Sequence, residues 1–155
     1  MPDTTGLPPG LAQIAEDFAE LAVPERLQLL LEFSEDLPAL PERYAAAPES
    51  MEQVHECQSP LFLVVEVDER SAPEPGARRV SLFFSAPPEA PTTRGFAGIL
   101  HEGLDQLTVD EILAVPEDAP YRFSLADAVS PLRLRGMVGM LSRIKRQTAL
   151  KARAA

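Results

Sequence analysis

This chain of 155 residues holds one cysteine and two histidines, and each shortage closes off a class of chemistry. A lone thiol forms no internal disulfide and builds no zinc site out of several thiolates. His55 and His101 lie far apart, with no H-x-x-x-H spacing and no paired carboxylates beside either, so no metal site is expected. Apolar runs are short, and none approaches the roughly 20 residues that cross a bilayer. The opening Met1-Pro2-Asp3-Thr4-Thr5 carries neither the basic segment nor the apolar core of a secretion signal, so a cytoplasmic protein with no membrane partner is expected. Bases are also scarce: 14 Lys and Arg face 24 Asp and Glu, a net charge of -10. Such a surface repels phosphate backbones and speaks against nucleic acid.

What is present fits one core. A hydrophobic content of 45% over this length suffices for a single domain spanning 1–155, with 1–9 and 152–155 frayed at its ends. Seven of the 14 bases, Arg133, Arg135, Arg143, Lys145, Arg146, Lys151 and Arg153, gather near the C-terminus. They mark a basic helix beside an acidic body, either a docking face for an acidic partner or a solvated face whose charges complement the helix dipole.

Leu11, Ile14, Phe18 and Leu21 recur at helical spacing and predict a first helix over 10–21. Pro24 then opens a second over 25–37, with Leu27, Leu30, Leu31 and Ser34 on its apolar face, to complete a helical hairpin. Leu37-Pro38-Ala39-Leu40-Pro41 is an extended connection because neither proline donates a hydrogen bond, and residues 44–50 hold a helical turn. Leu61 to Asp68 and Arg79 to Ser85 are rich in Val, Leu and Phe and read as an antiparallel hairpin around an exposed turn over 69–77. Met51 to Glu56 is ambiguous and allows a short edge strand.

After the break at 86–91, Thr92 caps a helix running through Phe96, Ile99, Leu100 and Leu104, with His101 on it. Thr108 and Glu111 form a capping box for a short helix to Val115. Residues 116–120 interrupt the chain, 125–129 make a helical turn, and the last helix runs from Leu134 to about Ala152. The fold class is α+β: a small antiparallel sheet, a hairpin plus a possible third strand, covered by the N-terminal helical hairpin and the C-terminal helices.

Chemistry points to Val54-His55-Glu56-Cys57-Gln58-Ser59-Pro60. The hydroxyls lack a Ser-His-Asp arrangement, and Gly95-Phe96-Ala97-Gly98 lacks the lysine and remaining glycines of a phosphate loop, which leaves it a role in close helix contacts. The numerous carboxylates read as surface charge. Cys57 is either a small buried hydrophobe or a nucleophile, and its place in a turn at the mouth of a strand favours the nucleophile. In an extended segment His55 would share a side with Cys57, where it either lowers the thiol pKa or simply faces solvent. Glu56 opposes thiolate formation.

These features together resemble the SufE family of sulfur acceptors in iron–sulfur cluster assembly. The resemblance rests on Leu37-Pro38-Ala39-Leu40-Pro41, on Cys57-Gln58-Ser59 before an apolar strand, on Arg94-Gly95 at a helix start, and on Ser130-Pro131-Leu132-Arg133-Leu134-Arg135-Gly136-Met137. Glu56 stands where the family has glycine, Phe62 where it has tryptophan, and Glu89 about where it has aspartate; the loop over 68–77 is long. The resemblance implies a persulfide carrier with no cofactor of its own. A SufS-type cysteine desulfurase, which holds the pyridoxal phosphate, passes sulfur to Cys57, and Cys57 delivers it to a SufBCD-type scaffold. The desulfurase is thereby activated. His55, Gln58, Ser59 and Arg133 support Cys57, with Leu61 and Phe62 as shelter for the persulfide; Arg133 either docks the partner and positions the loop or makes an ordinary helix-start salt bridge. Two rival readings stand beside this one, a redox-sensing or adaptor protein using the same cysteine and a purely structural module with Cys57 as filler.

Overall fold

The computed structural model describes residues 2–154. Three antiparallel strands in the order β1-β2-β3 form its sheet: β1 (Glu52–Gln53), β2 (Phe62–Asp68) and β3 (Arg79–Ser85). The ambiguous segment is therefore the third strand, paired Glu52 with Leu63 and Gln53 with Phe62. Val80, Leu82 and Phe84 alternate into the core along β3, while Leu63, Val64 and Val65 are all buried in the central β2. Val64, opposite Phe83 in the register, is the residue buried on the other face, where β2 lies between its two neighbouring strands. On the outer face Tyr44 lies 5.2 Å from Phe83, and the Arg43 guanidinium sits over both rings.

Helix α1 (Pro9–Ala19) buries Leu11, Ile14, Ala15 and Phe18 but ends before Leu21. Helix α2 (Val23–Asp36) starts two residues earlier than its spacing suggested, with Pro24 in the first turn where no donor is needed. It buries Leu30, Phe33 and Ser34; Leu27 and Leu31, assigned to the apolar face, are about 40% exposed. The Phe18 and Phe33 rings stack at 5.9 Å between the two helices. The helical turn expected within 44–50 is a 3-10 turn at Pro48–Ser50, and a short helix, α3 (Glu42–Ala45), precedes it.

Helix α4 (Pro91–Leu104) begins one residue before the expected cap. Ala90 precedes it with no side-chain cap, because proline in the first turn removes a donor that would otherwise need one. Both α1 and α2 pack on α4, and a Cβ at Gly98 would collide with the Phe33 carbonyl. This close crossing is the role of the Gly95 to Gly98 stretch. The capping box opens α5 (Val109–Leu113) as expected. The last helix, α6 (Pro131–Ala154), starts three residues before Leu134, with Ser130 Oγ accepting from Arg133 N at 3.3 Å; Arg133 thus belongs to its first turn.

Both sheet edges are closed. Along β3, Val80 and Arg78 bond to Gln106, Leu107 and Val109, and Asp105 accepts from Leu82 N at 2.8 Å. Beyond the short β1, helix α6 covers β2: Val65 N donates to Gln147 Oε1 at 2.9 Å and Lys151 Nζ donates to Val65 O. At the N-terminus, expected to be loose, Arg122 donates to Thr5 O and Leu7 packs on the core.

Candidate functional site

Cys57 sits in the connection between β1 and β2. The hairpin's last bond runs from Val54 N to Leu61 O at 2.8 Å, and residues 55–60 project beyond it. Within that loop Cys57 N donates to Val54 O at 3.2 Å, which makes a turn of Val54 to Cys57 rather than an extended segment. The premise that His55 and Cys57 share a side therefore fails. His55 is exposed, and the charges acting on the thiol belong to Glu56 and Arg143.

The loop folds back onto α6 through two glycines. A Cβ at Gly136 would come within 2.9 Å of Cys57 Sγ, and one at Gly139 within 2.8 Å of the Glu56 carboxyl carbon. Spacings of three and four put Gly136, Gly139 and Arg143 on one helix face, so the groove ends at a cation. Arg143 Nη1 lies 2.8 Å from Glu56 Oε1, and this ion pair holds the Glu56 carboxyl below the usual carboxylate range. Arg143 Nη1 also donates to Gly139 O at 3.1 Å, and its Nε is 3.6 Å from Glu52 Oε2. Glu52 is held in turn by Arg146 and by Gln147 Nε2 at 2.8 Å.

Cys57 opens on a pocket of about 50 Å³ lined also by Gln58, Ser59, Thr93, Phe96 and Arg133. That volume admits an added sulfur atom or a few waters, whereas ligand pockets run to roughly 300 Å³ and more. Of the residues picked from sequence, Cys57, Gln58, Ser59 and Arg133 come together here, and His55 points elsewhere in the turn. Leu61 and Phe62 do not line the pocket; Leu61 belongs to the core, and Phe96 from α4 supplies the apolar wall. Arg133 is exposed and makes no salt bridge among the described residues, which removes the helix-start ion pair as its role.

Burial pushes the Cys57 thiol up to about 11, Glu56 adds to the rise, and Arg143 partly opposes it. In this position the thiol is neutral near pH 7, with roughly one molecule in 10,000 as thiolate. At rest, therefore, little thiolate is available for nucleophilic attack from Cys57.

Sequence reading missed Thr93, Phe96, Gly139, Arg143 and Glu52. One signal was available: two glycines three apart inside a helix each cost about 1 kcal/mol of helix propensity, a sign of close approach by another segment. The basic cluster is also more committed than its density suggested. Arg143, Arg146 and Lys151 are spent on Glu52, Glu56 and Val65, and Lys145 donates to Val115 O, so these four do not form a free docking face. Among the described residues no cluster of three or more metal-ligating side chains occurs, and no helix is long and apolar enough to cross a membrane.

Residues 12–148 match the SufE family, described as an Fe-S metabolism associated domain. Two uncharacterized SufE-like proteins, from two strains of Mycobacterium tuberculosis, are 54% identical over 141 residues, covering 91% of this chain and 92% of theirs. A solution structure of a hypothetical protein from Thermus thermophilus superposes with a TM-score of 0.77 at 36% identity, covering 94% of this chain and 97% of that one.

Proposed function

The chain belongs to the SufE family, whose domain is associated with Fe–S metabolism, and on that premise we propose that Cys57 is a sulfur acceptor served by a cysteine desulfurase. One observation carries the reading: the chain's one thiol sits half-buried at the tip of a hairpin connection, on a small pocket of about 50 Å³ that has room for an added sulfur atom. The Cys57 thiol first loses its proton. Its thiolate attacks the outer sulfur of a cysteine persulfide on a SufS-type partner; the donor's S–S bond breaks, its cysteine leaves as a thiolate, and a new S–S bond holds the sulfur on Cys57. No net oxidation occurs, and this chain needs no cofactor, since pyridoxal phosphate belongs to the partner. A SufBCD-type scaffold then receives the sulfur by the same exchange, and removal of the persulfide speeds desulfurase turnover.

The chain's own residues divide the work. Gly136 and Phe96 shelter the sulfur, Gln58 and Ser59 form the loop rim, and the exposed Arg133, with no ion pair among the described residues, offers a cation to the partner beside the pocket. A thiol kept neutral at rest is protected from stray oxidants and reacts when the partner draws the loop out.

The test is intact mass after the protein is mixed with a SufS-type desulfurase and L-cysteine. A reducible gain of ~32 Da, one sulfur atom, on the wild type and not on Cys57→Ser is the expected result. No gain, with desulfurase turnover unchanged, overturns the reading; reversible thiol oxidation without sulfur transfer would instead favour a redox sensor.

A further inference from the structure

We infer that Glu56 and Arg143 form a latch that holds the Cys57 loop retracted against α6, making both of them positioning residues for the thiol. The inference concerns the same cysteine as the sulfur-acceptor reading and rests on it for its biological use. Three observations carry it. First, among the described residues the Glu56 to Arg143 ion pair is the sole polar link from residues 55–60 to the rest of the fold, the loop's other bond running from Cys57 N to the adjoining Val54 O. Second, Gly136 and Gly139 seat consecutive side chains, Cys57 and Glu56, so displacing one lifts the other. Third, the anchoring end is fixed: the Arg143 side chain is only 16% exposed and is bonded to Gly139 O, while Glu52 beside it is tied to Arg146 and Gln147. The Glu56 end, 44% exposed and on a loop, is the end free to swing.

The mechanical role has a signature that simple electrostatics lacks. Arg143 is a cation near the thiol, so on Coulombic grounds its removal disfavours the thiolate and slows reaction with an alkylating reagent. Loss of a latch exposes Cys57 and speeds the same reaction. The signs are opposite.

The experiment is alkylation of the free folded protein by iodoacetamide, a neutral reagent, followed across a pH series, with thermal unfolding as a control for folding. Arg143→Gln is expected to raise the rate roughly two- to fivefold at fixed pH, the range that an ion pair of this exposure supports. An unchanged or lower rate overturns the latch. Gly139→Ala keeps every charge but crowds the Glu56 carboxylate in its seat, so it too is expected to speed alkylation. Since withdrawing that anion also favours the thiolate, the pH series separates greater access, a higher rate of the thiolate form, from a lowered thiol pKa; with that readout Gly139→Ala decides the matter if Arg143→Gln fails to fold. An unchanged rate in Gly139→Ala counts against the proposal. Since no desulfurase is present, the result separates from the sulfur-transfer test: faster alkylation without sulfur acceptance keeps the latch and removes the carrier reading, and the converse outcome does the reverse.

Discussion

At Cys57 the environment opposes the charged form, and the consequences are measurable. Its thiol titrates near 11 in the fold against an ordinary 9.0. Alkylation of the native protein should therefore keep accelerating with pH well past 9, where an exposed thiol levels off; a profile that flattens near 9 would mean that Cys57 is solvent-exposed. The same shift bears on stability. Below pH 9 folded and unfolded chains both hold the proton; between about 9 and about 11 only the folded chain keeps it, so stability falls as pH rises through that window. Cys57→Ser removes that contribution, and its urea midpoint is expected to decline less over the window than the wild type's. Gly136→Ala is the complementary change. The new methyl crowds Cys57 Sγ at 2.9 Å, so the thiol is pushed toward solvent, its titration moves back toward 9, and alkylation near neutral pH speeds up. A rate equal to wild type would show that the loop does not rest on Gly136.

At the scale of elements, two contacts decide how the layers hold the site. The α2 to α4 crossing is close enough that Gly98→Ala sets a methyl against the Phe33 carbonyl, a backbone atom that cannot rotate away. Overpacking of this kind costs about 1–3 kcal/mol, read as a lower urea midpoint with an unchanged slope. The second contact is Gln147, buried in α6, which bonds Val65 N on the strand edge that β1 is too short to cover. Gln147→Ala leaves that amide unpaired and costs about 1–3 kcal/mol, with faster amide exchange at Val65 than at its β3-paired neighbours. Since Gln147 also holds Glu52, the base of the Cys57 hairpin should loosen in the same variant.

For the molecule as a whole, the net charge of -10 is partly ordered by internal pairing. Burial raises the Glu66 carboxyl, but Arg43 and Tyr44 outweigh it and bring the group below its usual value; Glu56 and Glu111 are also lowered, by Arg143 and by the Thr108 amide. A carboxyl lowered by folding lends stability that is present above its ordinary pKa of 4.5 and disappears as pH falls through the lower folded value. The urea midpoint should accordingly be level above about pH 5.5 and drop steadily below 4.5. A midpoint that rises on acidification would mean that repulsion among the acids outweighs these pairs.

Period and punctuation were legible in the sequence because they depend on neighbours along the chain. The helical recurrence of Leu11, Ile14 and Phe18, the capping box at Thr108 and Glu111, and the turn placing Cys57 before a strand all rest on local spacing, and so did the likeness to the SufE family. Boundaries at Pro91 and Pro131 slipped by one to three residues because proline is accommodated in a helix's first turn, at Pro91 without a side-chain cap and at Pro131 behind the Ser130 hydroxyl. What only the tertiary structure decided are relations between segments distant in sequence. Glu56 meets Arg143 and Phe96 walls the pocket because the β1–β2 connection folds onto α6 beside α4. A residue's type determines which bonds it is able to make; the partner, and with it the charge state of the one thiol, follows from which surfaces the core brings together.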